Sequence, residues 1–312
     1  MKAIEIHNYG GPEVLTYQDA PRPQPQRDEL LISVHAAGVN PLDCKVRAGS
    51  MKEFLPHKLP LIPGWDVSGV VAKIGPAASR FREGDEVFAM AHPMQDGAYA
   101  EYIASSEKLI AAKPRRLHHV QAAAVPLAAL TAWRALFEAA QLKRGQRILI
   151  HGGTGGVGHF AIQLAKWKEA HVLATASTKN QQLLRDLGAD EPIDYTEERF
   201  EDVAKNVDVV LDTIGGKTQE RSWPVLKKGG ILVSLVQPPP EETAMVHGVR
   251  SAFVVNTPRA DWLTRIGKLI DDGKLKVLID RVLPLTEARR AHDLSESGHA
   301  RGKIVLRVRK EP

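Results

Sequence analysis

The chain has 312 residues, 43% hydrophobic and 25% charged, which is ordinary for a globular protein with room for two cored domains. Its formal net charge is +5, but lysine and arginine are scattered, with no long basic block and few aromatics beside them, which argues against a dedicated nucleic-acid binder. A single cysteine, Cys44, excludes an internal disulfide and any multi-cysteine zinc cluster.

The opening MKAIEIHNYG lacks the apolar core of a secretory signal, and no run reaches the roughly 18 apolar residues of a membrane span. A cytoplasmic protein with no membrane partner is expected. Residues 1–110 read as short strands such as LLISVHAAG, DVSGVVAKIG, GDEVFAM and GAYAEYIAS, broken by glycine, proline and acids, hence a β-rich domain. The run Ala20–Pro25 reads as an extended connector ahead of the strand Glu29–His35. After Pro114 the pattern changes. Residues 120–140 are alanine-rich and helical, and then come the apolar strands RILIH, HVLATAS, VDVVLDT, ILVSLV and AFVVN. Helical segments at 156–168, 179–188, 197–205 and 217–227 separate the first four, which predicts an α/β doubly wound parallel sheet. The last connection, through PPPEET, reads as a loop. From about 257 the spacing predicts one helix, Asp261–Asp272, then short strands ending in GKIVLRV, closer in composition to the first domain.

Between strand and helix lies ILIHGGTGGVGHFAIQLAK, in which Gly153, Gly155 and Gly158 satisfy G-x-G-x-x-G, with Gly156 and Val157 between them. The first glycine permits a tight turn, the second lets backbone approach a pyrophosphate, and the third allows close helix–strand packing. A phosphate loop of the nucleotide-triphosphatase kind would need Lys-Ser/Thr after Gly158, but His159-Phe160 stands there. The dinucleotide's identity depends on the end of the next strand, where NAD sites carry an acid about 20 residues on. Here Ser177 and Lys179 stand there, and no carboxylate occurs between Glu169 and Asp186. A hydroxyl and an ammonium suit a 2′-phosphate, so NADP (NADPH) is expected.

The chain resembles the medium-chain dehydrogenase/reductase superfamily in its zinc-free quinone oxidoreductase-like (zeta-crystallin-like) branch. The resemblance rests on HAAGVNPLDCKVRAG, LPLIPGWDVSGVVAKIG, GAYAEY, AAAVPLAALTAWRAL, the glycine loop, LGADEPIDY, VDVVLDTIGG and HARGKIVLRV, in order along nearly the whole chain. It implies a GroES-like β-rich catalytic domain, 1–119 and 257–312, interrupted by a Rossmann NADP-binding domain, 120–256, with the active site in the cleft between them. Zinc-dependent relatives bind the metal through two cysteines and the histidine of Gly-His-Glu. Asn40 stands near the first cysteine's place and Gly64-Trp65-Asp66 replaces the motif, so no metal site is expected.

Asn40 heads Asn-Pro-Leu-Asp, a helix start in which Asn caps and Asp43 occupies the third position. The resemblance adds a second role for Asn40, an amide beside nicotinamide and substrate. Lys45, one turn on, reads either as a solvated lysine or as a cation for a developing enolate oxygen. The resemblance further places Thr131 at the nicotinamide, Tyr195 near the adenine phosphate and Lys303 facing the cleft. Ile214, Leu235 and Val254 fall on segments at the carboxyl side of the sheet, where ligand contacts are expected. The implied activity is hydride transfer from NADPH to a quinone, or to the C=C bond of an enal or enone. Many relatives carry a tyrosine after Arg-x-Gly; here Arg47-Ala48-Gly49 is followed by Ser50 and Met51, which leaves the proton donor unassigned. A silent NADPH-binding regulator and a zinc alcohol dehydrogenase remain as other readings. A homodimer through the sheet edge is implied, with Phe253–Val255 a candidate edge.

Overall fold

A computed structural model describes residues 1–309. It divides into two compact units: Met1–Leu130 with Thr257–Gly273 and Val277 onward, and Thr131–Asn256 with Lys274–Lys276. The strands in chain order are Lys2–Glu5 (β1), Thr16–Asp19 (β2), Glu29–Val39 (β3), Asp66–Ile74 (β4), Glu86–Met90 (β5), Tyr102–Ser106 (β6) and Ile110–Ala112 (β7). Arg147–Ile150 (β8), His171–Ala176 (β9), Glu191–Asp194 (β10), Val207–Asp212 (β11), Leu226–Ser234 (β12) and Arg250–Phe253 (β13) follow, then Ile279–Pro284 (β14) and Lys303–Arg307 (β15).

In the first unit a seven-stranded sheet runs β14-β15-β3-β4-β5-β7, with β6 paired to β3. The returning β15 lies antiparallel to β3, Ile304 opposite Val39, so the last strand is sewn beside a strand from near the start. Trp65, Tyr99, Ile4, Ile6 and Ile32 are buried in its core. Each of the isoleucines, removed from water, contributes about 1.5–3 kcal/mol. Helix α1 (Pro41–Arg47) starts directly at the end of β3, where Pro41 occupies the first helical position and Asn40 with Asp43 forms a capping box.

In the second unit six parallel strands run β10-β9-β8-β11-β12-β13. Because β8 has β9 on one side and β11 on the other, the chain reverses direction across the sheet at β8 and β11. Ligands of such sheets bind outside the carboxyl ends at that point.

Four expectations change. The segment after 257 holds a second helix, Ala288–Glu296, beside the expected one at Ala260–Asp271. The division falls after Leu130 rather than after 119: the short helix His119–Ala123 (α2) packs on β3 and β4, and Ala123 and Ala124 join a buried cluster with Ala36 and Val305. The PPPEET connection contains a helix, Glu241–His247, started by two acids in its first turn and closed by Gly248 in the left-handed region at φ 64°. Its three preceding prolines hide it from a propensity reading. Strand β10 was also unforeseen, because EPID carries one buried apolar residue, Ile193.

Candidate active site

The glycine loop leaves the end of β8 through His151, which is buried and tied to the ends of β9 and β11 and to the helix Gly216–Ser222. Its carbonyl accepts the Thr213 hydroxyl at 2.8 Å, and its ring nitrogens lie 2.9 Å from Ser222 Oγ and 3.3 Å from Thr175 Oγ1. The Ser222 hydroxyl donates to the Thr218 carbonyl at 2.6 Å, so His151 Nε2 donates to it and Nδ1 accepts from Thr175. Thr175 Oγ1 in turn accepts the Gly152 N–H at 3.2 Å. Burial holds this imidazole neutral, pulled down to about 4.

The loop itself is made of backbone. Gly152 adopts φ 64°, Gly153 N–H donates to the Thr175 carbonyl at 2.9 Å, and Gly155 N–H closes back on the Gly152 carbonyl at 3.0 Å. A Cβ on Gly158 would run into that same Gly152 carbonyl and come within 2.9 Å of Gly153 Cα. Gly158 opens a ten-residue helix, Gly158–Trp167, on which Phe160, Ala161, Leu164 and Ala165 are buried. Among the described residues, no backbone carbonyl accepts from the N–H of Gly156 or Val157. These amides at a helix N-terminus suit a pyrophosphate. Here the residues present fit a dinucleotide.

The other second-unit residues stand at the carboxyl ends of their strands. Ser177 follows β9 directly, its Oγ accepting from Asn180 Nδ2 at 3.2 Å, and Lys179 is exposed. Tyr195, 59% exposed, follows β10, and its N–H reaches the Ala176 carbonyl at 3.3 Å, so Ser177 and Tyr195 share one corner. That corner also holds an acid the sequence reading did not place there. Asp194 pairs in register with Ala176, but Thr196 hydrogen bonds to its carboxylate, at 2.6 Å from the hydroxyl, hold it below the usual range with help from Thr178.

Ile214 follows β11 at 53% exposure, and its N–H donates to Asp212 Oδ1 at 3.0 Å. Buried Asp212, first residue of the segment where ligand contacts were expected, instead anchors the turn after β11 against β12: it also accepts from Gly215 N–H (2.8 Å), Gln219 (3.0 Å) and Ser234 (2.9 Å). Leu235 N–H bonds the Asp212 carbonyl at 3.0 Å, and Val254 N–H bonds the Ser234 carbonyl at 3.0 Å. Val254 lines a pocket with Arg134, Glu138 and Val255. Thr131 is buried on the helix Pro126–Trp133.

In the first unit, Asn40 is the centre of a buried ionic cluster. Asp43 Oδ2 accepts its backbone N–H at 2.9 Å, Asp66 Oδ2 accepts from its Nδ2 at 2.9 Å, and Lys303 Nζ donates to its Oδ1. Lys303 also donates to the Val39 carbonyl at 2.9 Å and lies 3.7 Å from Asp66 Oδ2, while Leu127 N–H donates to Asp66 Oδ1 at 2.8 Å. Burial pushes Asp66 up and Lys303 down from their ordinary values, and their mutual attraction opposes both shifts. Lys303 thus donates hydrogen bonds to Val39 and Asn40 and forms an ion pair with Asp66. Neither Asp66 nor Tyr99, which bonds Asp43, was singled out in sequence. The available signal was a pair of opposite charges inside apolar strand runs, GWDVSGVV and GKIVLRV, which must pair if buried.

This donor set does not fit zinc. It offers an amide and a carboxylate already held by an ammonium, with no imidazole or thiolate. Cys44, the chain's single cysteine, is buried, and its thiol is pushed up to about 12 by burial. Lys45 is exposed and lines a separate pocket with Ser50, Ser295 and Glu296. Among the described residues its ammonium makes no hydrogen bond or ion pair.

Comparison with known proteins matches residues 26–115 to the alcohol dehydrogenase GroES-like domain and residues 187–306 to the zinc-binding dehydrogenase family. The chain is 41% identical to the chloroplastic NADPH-dependent alkenal/one oxidoreductase of Arabidopsis thaliana, over 98% of this chain and 79% of that protein. It is 40% identical to the 2-methylene-furan-3-one reductase of Solanum lycopersicum, over the same shares, 98% and 79%. The structure of the quinone oxidoreductase from Coxiella burnetii superposes with a TM-score of 0.91 at 39% identity, covering 99% of each chain. The chain belongs to the medium-chain dehydrogenase/reductase superfamily, in its quinone oxidoreductase branch.

Proposed function

We propose that this protein is an NADPH-dependent oxidoreductase that reduces quinones or the C=C bond of α,β-unsaturated carbonyls without zinc. The observation that carries the reading is the glycine loop, with its uncommitted amides at the carboxyl edge of a doubly wound sheet and a Ser177–Lys179 corner beside it. Bound NADPH supplies a hydride. The loop residues Gly153, Gly155, Gly156, Val157 and Gly158 hold the pyrophosphate, and Ser177, Lys179 and Tyr195 hold the adenosine end with its 2′-phosphate. Asn40, its amide polarised by Lys303, offers a donor for the acceptor's carbonyl oxygen. Each turnover also takes up one proton, placed on the α-carbon of an enone or on the anionic oxygen left when a quinone accepts the hydride.

Zinc independence rests on the donor set around Asn40. A homodimer through β13 is supported by its place at the sheet edge and by exposed Phe253 (41%) and Val255 (64%) beside it. A cytoplasmic seat is supported by the chain's one cysteine, which suits a reducing compartment.

The test is a stopped-flow comparison of NADPH and NADH oxidation with quinones, 2-alkenals and enones side by side. Preference for NADPH that falls on Lys179→Ala is expected. Equal rates with NADH would remove the 2′-phosphate reading, and no turnover of any acceptor would remove the enzymatic one.

A further inference from the structure

Of the three ionisable groups that hold Asn40, Asp43 has a feature that capping alone does not require. It is fully buried at 0% exposure, and its Oδ1 has no hydrogen-bond partner. Its Oδ2 accepts both the Asn40 N–H and the Tyr99 hydroxyl, each at 2.9 Å. Behind Tyr99 the line continues. Its hydroxyl oxygen lies 3.3 Å from His292 Nε2, and His292 Nδ1 lies 3.4 Å from Arg47 Nη1. Arg47 pairs with Glu296 at 2.7 Å, and that carboxylate opens onto the Lys45 pocket. Arg47 can only donate, so His292 Nδ1 accepts and Nε2–H points to Tyr99, which leaves the Tyr99 proton for Asp43. One tautomer satisfies the whole line.

The charged and titratable groups around Asp43 come from every neighbouring element. Asp66 of β4 and Lys303 of β15 face it, with Tyr99 from the segment between β5 and β6 and Cys44 on its own helix. His292 and Glu296 of the helix Ala288–Glu296 act through Tyr99 and Arg47. Glu13, from the turn Pro12–Val14, is exposed and caps Gly11. Burial is the largest influence and pushes Asp43 up to about 7; the hydrogen bonds from Asn40 and Tyr99 oppose it, Asp66 adds to the rise and Lys303 counters it. Burial also keeps His292 neutral, down to about 3. A hydrogen bond to an ionised acceptor is roughly twice as strong as one to a neutral acceptor.

We propose that Asp43 is a positioning residue for Asn40: as a carboxylate it locks the Asn40 backbone at the head of α1, and on taking up a proton it loosens that seat, with Tyr99 and His292 setting the balance between the two forms. The link to turnover rests on the reading of Asn40 as the amide that meets the acceptor.

The experiment follows the Asn40 backbone amide by NMR in isotope-labelled wild type across neutral pH, without cofactor. The same titration is repeated on Asp43→Asn and Tyr99→Phe, beside pH profiles of kcat and KM with NADPH and an enone. A single-proton transition of the Asn40 amide near 7 is expected in the wild type, absent in Asp43→Asn. In Tyr99→Phe it moves to higher pH, because the lost hydroxyl favoured the carboxylate. The value of kcat should fall several-fold toward acid with the same midpoint, with KM for the acceptor changing less. A pH-independent Asn40 amide in the wild type, which no folding defect of a variant can explain, overturns the proposal. So does a kcat transition that survives in Asp43→Asn. An amide that titrates with Asp43 in a protein that reduces no acceptor supports the positioning link, and it is the functional reading that then fails.

Discussion

The glycine loop of the second unit and the Asn40 cluster of the first are both polar sites set at the ends of apolar strands, but the loop is built of backbone and the cluster of side chains. In the loop, Gly153 and Gly155 make their bonds within the turn or to the neighbouring β9, and Gly158 leaves room for the Gly152 carbonyl. In the cluster, Asn40 reaches Asp66, 26 residues on, and Lys303, 263 residues on. Backbone sites fail by steric intrusion, whereas buried ionic sites fail by loss of charge balance. The two should therefore break differently.

Lys303→Met tests the cluster and should have the largest effect. It leaves Asp66 buried without its ammonium, and removing one partner of a buried pair costs on the order of 3–5 kcal/mol. Urea denaturation should show that loss, and adding Asp66→Asn should recover part of it by removing the orphaned charge. Full stability of Lys303→Met would mean that the pair carries no weight.

Gly158→Ala tests the loop and should come next. The added methyl meets backbone rather than a flexible side chain, and overpacking of that kind costs roughly 1–3 kcal/mol. If the strain falls on the dinucleotide seat, NADPH binding weakens about 10- to 100-fold. A fluorescence titration measures this, and stability should change less than in Lys303→Met.

This difference in construction also decides what could be read from sequence. The loop was legible because its function follows from spacing within a few residues, between a strand and an amphipathic helix. The parallel sheet was legible because each of its main strands carries its own apolar run. Strand β10 was not, since Glu191–Asp194 is a strand by pairing with β9 and buries Ile193 alone. The helix Glu241–His247 was masked by the prolines that set up its start. The cluster showed two members in a local pattern, Asn40 and Asp43 of the capping box, and a third, Lys303, only through the resemblance. Asp66, Tyr99 and His292 take their roles from partners far along the chain, a pairing that only the folded sheet creates. Asp194 likewise enters the Ser177 corner through the register of β10 on β9.

The two regions should also respond to pH with opposite sign. His151 beneath the loop is held neutral, with a folded value of about 4 against roughly 6.5 unfolded. Its contribution is therefore fully present above about 6.5 and is lost as pH falls through about 4. Asp43 beneath the cluster is raised from 3.8 to about 7, so its contribution is present below 3.8 and is lost as pH rises through about 7. In urea midpoints, the gap between wild type and His151→Gln should shrink on acidification, and the gap to Asp43→Asn should shrink on alkalinisation. Parallel curves for both variants would show that neither group titrates as its burial requires.

The smallest effect should come from Lys45→Met, and it separates position in the sequence from position in the site. Asn40 caps the short helix Pro41–Arg47 and Lys45 lies within it, so local spacing alone offers both for the chemistry. Yet the Asn40 amide is bonded to Asp66 and Lys303, whereas Lys45 is exposed in a pocket of about 360 Å³ with Ser50, Ser295 and Glu296. An exposed charge of this kind is worth about 0–1 kcal/mol, and steady-state kcat with NADPH should stay within about twofold of wild type. Asn40→Ala removes the amide that Lys303 polarises and should cost at least about tenfold, the loss of one hydrogen bond to a charged or polarised group. If Lys45→Met instead lost as much as Asn40→Ala, the cation at the outer pocket would belong to the reaction, and the buried cluster would be its scaffold.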